Sequence, residues 1–152
     1  MLAEITLVQW ITLAVALVGA VLGIVNTLQS VSKSRVRLRV LPKRAIPVGV
    51  ADPRLTFCIE ITNLSDFAVT IEEAGVFHEG TDLRSAIVQP VFADGGSSWP
   101  RRLESRSSLT VYSQMPTSTP GHPIKSAYAR TQDGHTKTGT SPALKQIASA
   151  GL

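Results

Sequence analysis

Three histidines, one cysteine and an adjacent pair of glutamates are the side chains here with the plainest capacity for chemistry: His78, His122, His135, Cys58 and Glu72–Glu73. A zinc site draws its His and Cys ligands from short recurring spacings. The three histidines lie far apart in the chain and follow no such spacing, so surface loop histidines are expected, with no metal and no cofactor. A nucleophile needs a base beside it. No GxSxG occurs, and Cys58 lies between Phe57 and Ile59 in a strand-like run, where a cysteine is a small packing residue. One cysteine permits no internal disulfide, which agrees with a reducing compartment. Glu72 and Glu73 are neighbours in a strand and are expected on opposite faces, not as a carboxylate pair.

Two loops could hold a ligand. In ADGGSSWP the glycines give freedom and the tryptophan gives a flat apolar surface, so Asp94, Gly95, Gly96 and Trp99 are the loop-binding candidates. The competing and favoured role is a strand connection whose Trp99 plugs the edge of the core. Lys137-Thr138-Gly139-Thr140-Ser141, with Lys145 beyond, leads into a helix-like tail and could hold an anion on helical N–H groups. The GxxxxGK[ST] order is absent, and helix capping accounts for the same residues.

Basic residues form the last cluster. Lys33, Arg35, Arg37 and Arg39 are membrane-surface candidates, because a long apolar run ends just before them. Their other reading is a solvated edge strand whose charges discourage strand addition and set topology. Arg101, Arg102 and Arg106 add to the net charge of +4, but no aromatic-interleaved motif accompanies them, so nucleic acid is not an expected partner.

The elements that position these residues begin with ITLVQWITLAVALVGAVLGIVNTL, Ile5 to Leu28, which contains no Asp, Glu, Lys or Arg. As a helix it reaches about 36 Å, enough to cross a hydrocarbon core of about 30 Å. Val18-Gly19-Ala20 resembles a signal-peptide cleavage site, but no basic residue precedes the run and its apolar character continues past Ala20. Glu4 is the one charge before it, and Lys33, Arg35, Arg37, Arg39, Lys43 and Arg44 follow. The positive-inside rule then predicts the N-terminus outside and the C-terminal domain in the cytoplasm. Ala16, Gly19, Ala20 and Gly23 give the helix a small-residue stripe for packing against a membrane partner or a second copy.

The rest of the chain reads as strands. Arginines alternate with Val36, Leu38 and Val40 in RVRLRVLP, which Pro42 and Pro47 should end. LTFCIEITN alternates Leu55, Phe57, Ile59 and Ile61 on one face, with Asn63-Leu64-Ser65-Asp66 as a turn. Val69–His78 follows, with an irregularity expected near Ala74-Gly75. Ala86–Phe92 reads as one edge strand because of Pro90. Leu109 and Val111 lie on a further strand, and Ile124–Thr131 turns through Asp133-Gly134 to pair with TKTGT. Ser141 and Pro142 open a short helix. The organisation expected is a tail (1–4), a transmembrane helix (5–28), a short linker (29–34), a β domain (35–140) and a terminal helix (141–152).

The segments CIEITNLSDFAVTI and RRLESRSSLTVY resemble the strand–turn–strand units of membrane-anchored, immunoglobulin-like bacterial β-sandwich domains, over roughly Arg35 to Thr140. The Cys…Trp…Cys framework of true immunoglobulin domains is absent. The resemblance implies an antiparallel β-sandwich held at the bacterial inner membrane. The functional expectation is a non-enzymatic, single-pass membrane-tethered interaction or accessory module. Its partners are the lipid bilayer and, through the helix, a membrane protein or itself. The alternative is a ligand-binding domain on the external face, and a hydrolytic or metal-dependent enzyme ranks third.

Overall fold

The computed structural model describes residues 6–33, 35–49, 52, 54–118 and 121–150, and of 31–33 and 150 the backbone alone. The expected tail 1–4 with Glu4, Ser34, Gly151 and the side chain of Lys33 lie outside the described residues. The chain divides into two compact units between Arg35 and Val36.

The first unit is helix α1, Leu7–Lys33. Its start is fixed by Gln9, whose side-chain oxygen accepts the Thr6 N–H at 2.9 Å, half of a capping box. The stretch Leu7–Ser30 is long and apolar enough to cross a membrane, with a mean hydropathy of 2.3, and a signal sequence has the same properties. Residues 29–33, expected as a linker, extend the helix instead. No glycine or proline interrupts QSVSK, so nothing stops the backbone ladder there. Two hydroxyls of the apolar run are satisfied within the helix: that of Thr12 donates to the Val8 carbonyl and that of Thr27 to the Gly23 carbonyl, both at 2.8 Å.

The second unit is mainly β, with two antiparallel sheets. Strands β1 (Leu38–Arg44), β2 (Phe57–Asn63), β7 (Ser108–Ser113) and β5 (Val91–Phe92) form one, in the order β1-β2-β7-β5. Strands β4 (Arg84–Ala86), β3 (Val69–His78), β8 (Ile124–Thr131) and β9 (Thr136–Gly139) form the other in the order β4-β3-β8-β9, and β6 (Arg101–Leu103) pairs with the start of β3. Period-two alternation turns Phe57, Ile59, Ile61 and Val111 of the first sheet and Ile71, Ala74, Val76, Ala127 and Ala129 of the second into one shared core. Helix α2, Pro142–Ala150, adds Leu144 to that core. Ser141 caps it, its hydroxyl oxygen accepting the Leu144 N–H at 3.1 Å.

Four features of the fold correct or refine the sequence reading. First, Pro42 does not end β1, which runs on to Arg44 with Pro42 opposite Ile59. As an edge strand β1 has one side free of ladder bonds, where a residue without an N–H is tolerated.

Second, each of the two strand–turn–strand segments passes from one sheet to the other. β2 and β3 belong to different sheets, as do β6 and β7, so the turns at 64–68 and 104–107 are crossovers between sheets. Third, the run Ala86–Phe92 is not one strand. It leaves the second sheet after Ala86, bends through buried Pro90 and joins the first sheet at Val91.

Fourth, the irregularity of β3 lies not at Ala74-Gly75 but at Glu72 and again before His78, where the register with β8 shifts. Gly75 instead permits a close approach of strands, since a Cβ there would collide with the Ser85 carbonyl of β4.

Candidate functional site

A concave feature of the β unit lies beside β4. The His78 N–H donates to the Leu83 carbonyl at 3.3 Å and the Ile87 N–H to the Ala74 carbonyl at 2.9 Å. Antiparallel alternation then makes Val76–Ser85 the bonded pair between them. It also turns the N–H and C=O of Arg84 and Ala86 away from β3, toward solvent. All three residues of β4 are exposed. Beside this open edge is a cleft of about 640 Å³. Phe57, Val76 and Leu55 give it an apolar floor, Ile87, Val88 and Val91 one wall, and Ser97, Ser113 and Gln114 polar points on its rim. Arg54 also borders it, locked to Asp52 by a two-pronged ion pair. That pair holds the Asp52 carboxyl below the usual carboxylate range and raises the Arg54 guanidinium. Val88 is 82% exposed, so the apolar wall continues onto the surface.

The loop with Asp94, Gly95, Gly96 and Trp99 is folded on itself. Asp94 is paired with Arg101, whose guanidinium also lies 4.8 Å over the Phe92 ring. Gly95 takes φ +84° in open space, as the turn after β5 requires, and a Cβ on Gly96 would press on Arg101. Trp99 stands edge-on to Phe92 at 5.1 Å and donates its indole N–H to the Ile87 carbonyl at 2.8 Å. It packs against the core, the favoured role for it, and by holding Ile87 it braces the cleft wall. Ser97 alone of this loop borders the cleft directly.

The other sequence candidates fall elsewhere. His78 is buried, its Nδ1 3.1 Å from the His122 carbonyl and its Nε2 2.8 Å from the Ser85 hydroxyl. The carbonyl can only accept, so Nδ1 carries a proton. His78 is therefore a brace inside the sheet rather than a loop residue. The His122 ring meets the Glu79 carbonyl at 2.9 Å, and His135 meets Asp133 at 3.2 Å in the β8–β9 turn. Among the described residues no group of three or more His, Cys, Asp or Glu could hold a metal ion. Cys58 is buried on the outward side of the first sheet, in register with Lys43 and Tyr112, and burial pushes its thiol up, away from thiolate chemistry.

Glu72 and Glu73 depart from expectation. Tyr128 and Arg130 share the outer face of β8, and the Tyr128 hydroxyl donates to Glu73 while Arg130 lies 3.9 Å from Glu72. The bulge brings both carboxylates to that one face. Arg84 completes the group, 3.2 Å from Glu73. Both glutamates are thereby engaged in cross-strand contacts.

Gly139, in the candidate anion loop, instead lets β9 approach β1: a Cβ there would collide with the Val40 carbonyl. In α1, Ala16, Gly19, Ala20 and Gly23 are exposed, with open space beside both glycines. Arg35, Arg37 and Arg39 are exposed as well.

Sequence reasoning missed the edge residues Arg84 and Ala86. The available signal was Pro90, which marks the bend where the segment changes sheets. No protein-family model matches the chain, and none of the curated proteins matches it.

Proposed function

We propose that this chain is a non-enzymatic, single-pass membrane-tethered interaction module. An immunoglobulin-like β-sandwich sits on the cytoplasmic side and captures an extended peptide of a partner at the edge of β4. The observation that carries the reading is the open edge of β4 beside the cleft. The outward N–H and C=O groups of Arg84 and Ala86 offer main-chain hydrogen bonds, and the floor of Leu55, Phe57 and Val76 suits an apolar side chain of an added strand. Alternate residues of such a strand point inward and outward, so the preferred peptide is apolar at every second position. Anchoring by α1 would confine this edge to the membrane plane and raise its effective concentration for partners there. The basic cluster after α1 supports the cytoplasmic side.

The test uses the full chain in lipid nanodiscs and nonapeptides selected from a random displayed library. Alternating apolar peptides should bind, and Ala86→Pro should weaken them by about ten-fold, because proline removes an outward N–H while leaving the β3 ladder intact. Selection of no peptide, or equal binding to Ala86→Pro, would refute the proposed edge. Protease protection of a C-terminal tag in vesicles of known sidedness tests the orientation separately. Exposure on the external side would favour the ligand-binding alternative, for which the cleft volume suits a small molecule.

A further inference from the structure

We infer that the outward basic face at the start of β1 binds anionic phospholipid headgroups, so that the domain lies against the bilayer instead of swinging free of it. This rests on the membrane-anchored reading above and adds to it a second, electrostatic contact.

Three observations carry the inference. First, Arg37 and Arg39 are exposed and two residues apart, so period-two alternation projects them from one face. Their backbone is fixed on the domain. The Arg37 N–H donates to the Ser65 hydroxyl at 2.8 Å, the Arg37 carbonyl accepts the Leu64 N–H at 2.7 Å, and Arg39 is in the ladder opposite Thr62. These are charges on a rigid support.

Second, neither guanidinium has a carboxylate partner among the described residues. Glu60, on the neighbouring strand, is taken by Lys43, and Asp66, in the adjacent crossover, is held by Arg106 at 2.6 Å. The acids that could neutralise the face are committed elsewhere. Thr62 and Ser108 continue it as small hydroxyls, bonded to each other at 3.0 Å, and add no bulk or negative charge between the arginines and a flat surface.

Third, the chain limits the distance. From the last residue of α1, Lys33, to Arg39 is six residues, a reach of about 20 Å at full extension. With the apolar helix in a bilayer, Arg37 and Arg39 stay within about 20 Å of its end. Attraction between basic residues and an anionic leaflet falls off within about a Debye length, ~8 Å at physiological salt. The tether reaches farther than that, so it keeps the face at high effective concentration near the leaflet and the charges supply the final contact.

A topology signal needs only the charge of Lys33 and Arg35. It does not need Arg37 and Arg39 to be unpaired and rigidly mounted on the domain. That arrangement distinguishes a contact surface from a sorting signal.

The experiment reconstitutes the full chain, carrying Ser108→Cys labelled with bimane, into two kinds of vesicle. One is phosphatidylcholine alone, and the other contains about 30% phosphatidylglycerol. Both hold a headgroup-quencher lipid, and unsubstituted chain with buried Cys58 sets the labelling background. Quenching should rise about two-fold or more with phosphatidylglycerol and return to the phosphatidylcholine level in about 0.5 M NaCl. It should return to that level as well in Arg37→Gln/Arg39→Gln, whose exposed side chains can be changed without touching the core.

Equal quenching in the two vesicles, or a rise that survives the double substitution, overturns the inference. Salt-sensitive binding of a single-stranded oligonucleotide with no lipid response would assign the face to nucleic acid and overturn it too. Flotation separates the two levels. Chain that fails to float with either vesicle sinks the anchored reading and this inference with it, whereas chain that floats without the quenching response sinks the inference alone.

Discussion

The side-chain amide of Asn63 donates to the main-chain carbonyl of Leu103 at 3.2 Å, across forty positions of sequence. The same nitrogen reaches the carbonyls of Phe67 at 2.8 Å and Glu104 at 3.1 Å, and the amide oxygen accepts the Ser65 N–H at 2.9 Å. One buried residue thus satisfies the backbone of both crossovers. Ser105 adds a bond to the Ser65 carbonyl at 2.9 Å, and Arg106, with φ 58°, reaches Asp66. Buried carbonyls at a sheet-to-sheet turn have no ladder partner, and this side chain supplies one.

Asn63→Ala should therefore cost about 3 kcal/mol, because several buried backbone groups lose a partner together. Urea unfolding of the full chain in mild detergent, followed by near-ultraviolet circular dichroism, measures it. Asn63→Asp should be nearly as damaging, since it keeps the acceptor but loses the donor. A midpoint unchanged by either variant would contradict the role assigned to Asn63.

Gly139→Ala and Gly95→Ala form a contrasting pair. At Gly139 a Cβ meets the Val40 carbonyl, so β1 and β9 must part, at about 2 kcal/mol. At Gly95 there is open space and only the strain of a positive φ, about 1 kcal/mol. Melting curves that ranked Gly95→Ala as the more damaging would refute the close approach.

Tyr128 predicts an alkaline limit to stability. It is 1% exposed, stacks on Phe77 at 4.3 Å and donates to Glu73. Burial first, then the Glu73 hydrogen bond, raises its phenol well above the ordinary 10.0. A group raised on folding contributes its full stability below the unfolded value and loses it as pH climbs toward the folded one. Unfolding free energy should hold steady below pH about 10 and fall above it. Tyr128→Phe should flatten that fall, and phenolate absorbance against pH checks it.

Trp99→Phe keeps an aromatic edge against Phe92 but leaves the Ile87 carbonyl without its indole donor. The expected cost is about 1 kcal/mol. Weaker peptide binding at the β4 edge should accompany it, because Ile87 walls the cleft. Calorimetric titration with a selected peptide would show the change. Full affinity in Trp99→Phe would mean that the cleft wall stands without the tryptophan.

Much of this was legible in the chain. Strands β3 and β8 match their expected bounds because turn residues flank each of them. Ser141 and Pro142 marked the start of α2, since capping is a local exchange of bonds. The sheet change inside Arg84–Phe92 was not legible, nor was the meeting of Glu72 and Glu73 on one face, because both depend on which neighbour each strand finds. A run of alternating residues states that one face is buried but not against which sheet. Asn63 read as ordinary turn chemistry for the same reason, since its partners at 103 and 104 are nowhere near it in sequence.

The sequence by itself determined the apolar helix, the place of most β segments and the cluster of basic residues after the helix. Those properties come from composition and from spacing over a few residues, where local sterics and hydrophobic patterning act. The tertiary structure decided the pairing order, the two crossovers held by Asn63, the close approach at Gly139 and the open edge of β4 beside its cleft. Each of these arises where segments distant in the chain compete for the same hydrogen bonds and the same buried volume. That competition is resolved only when all the strands are in place.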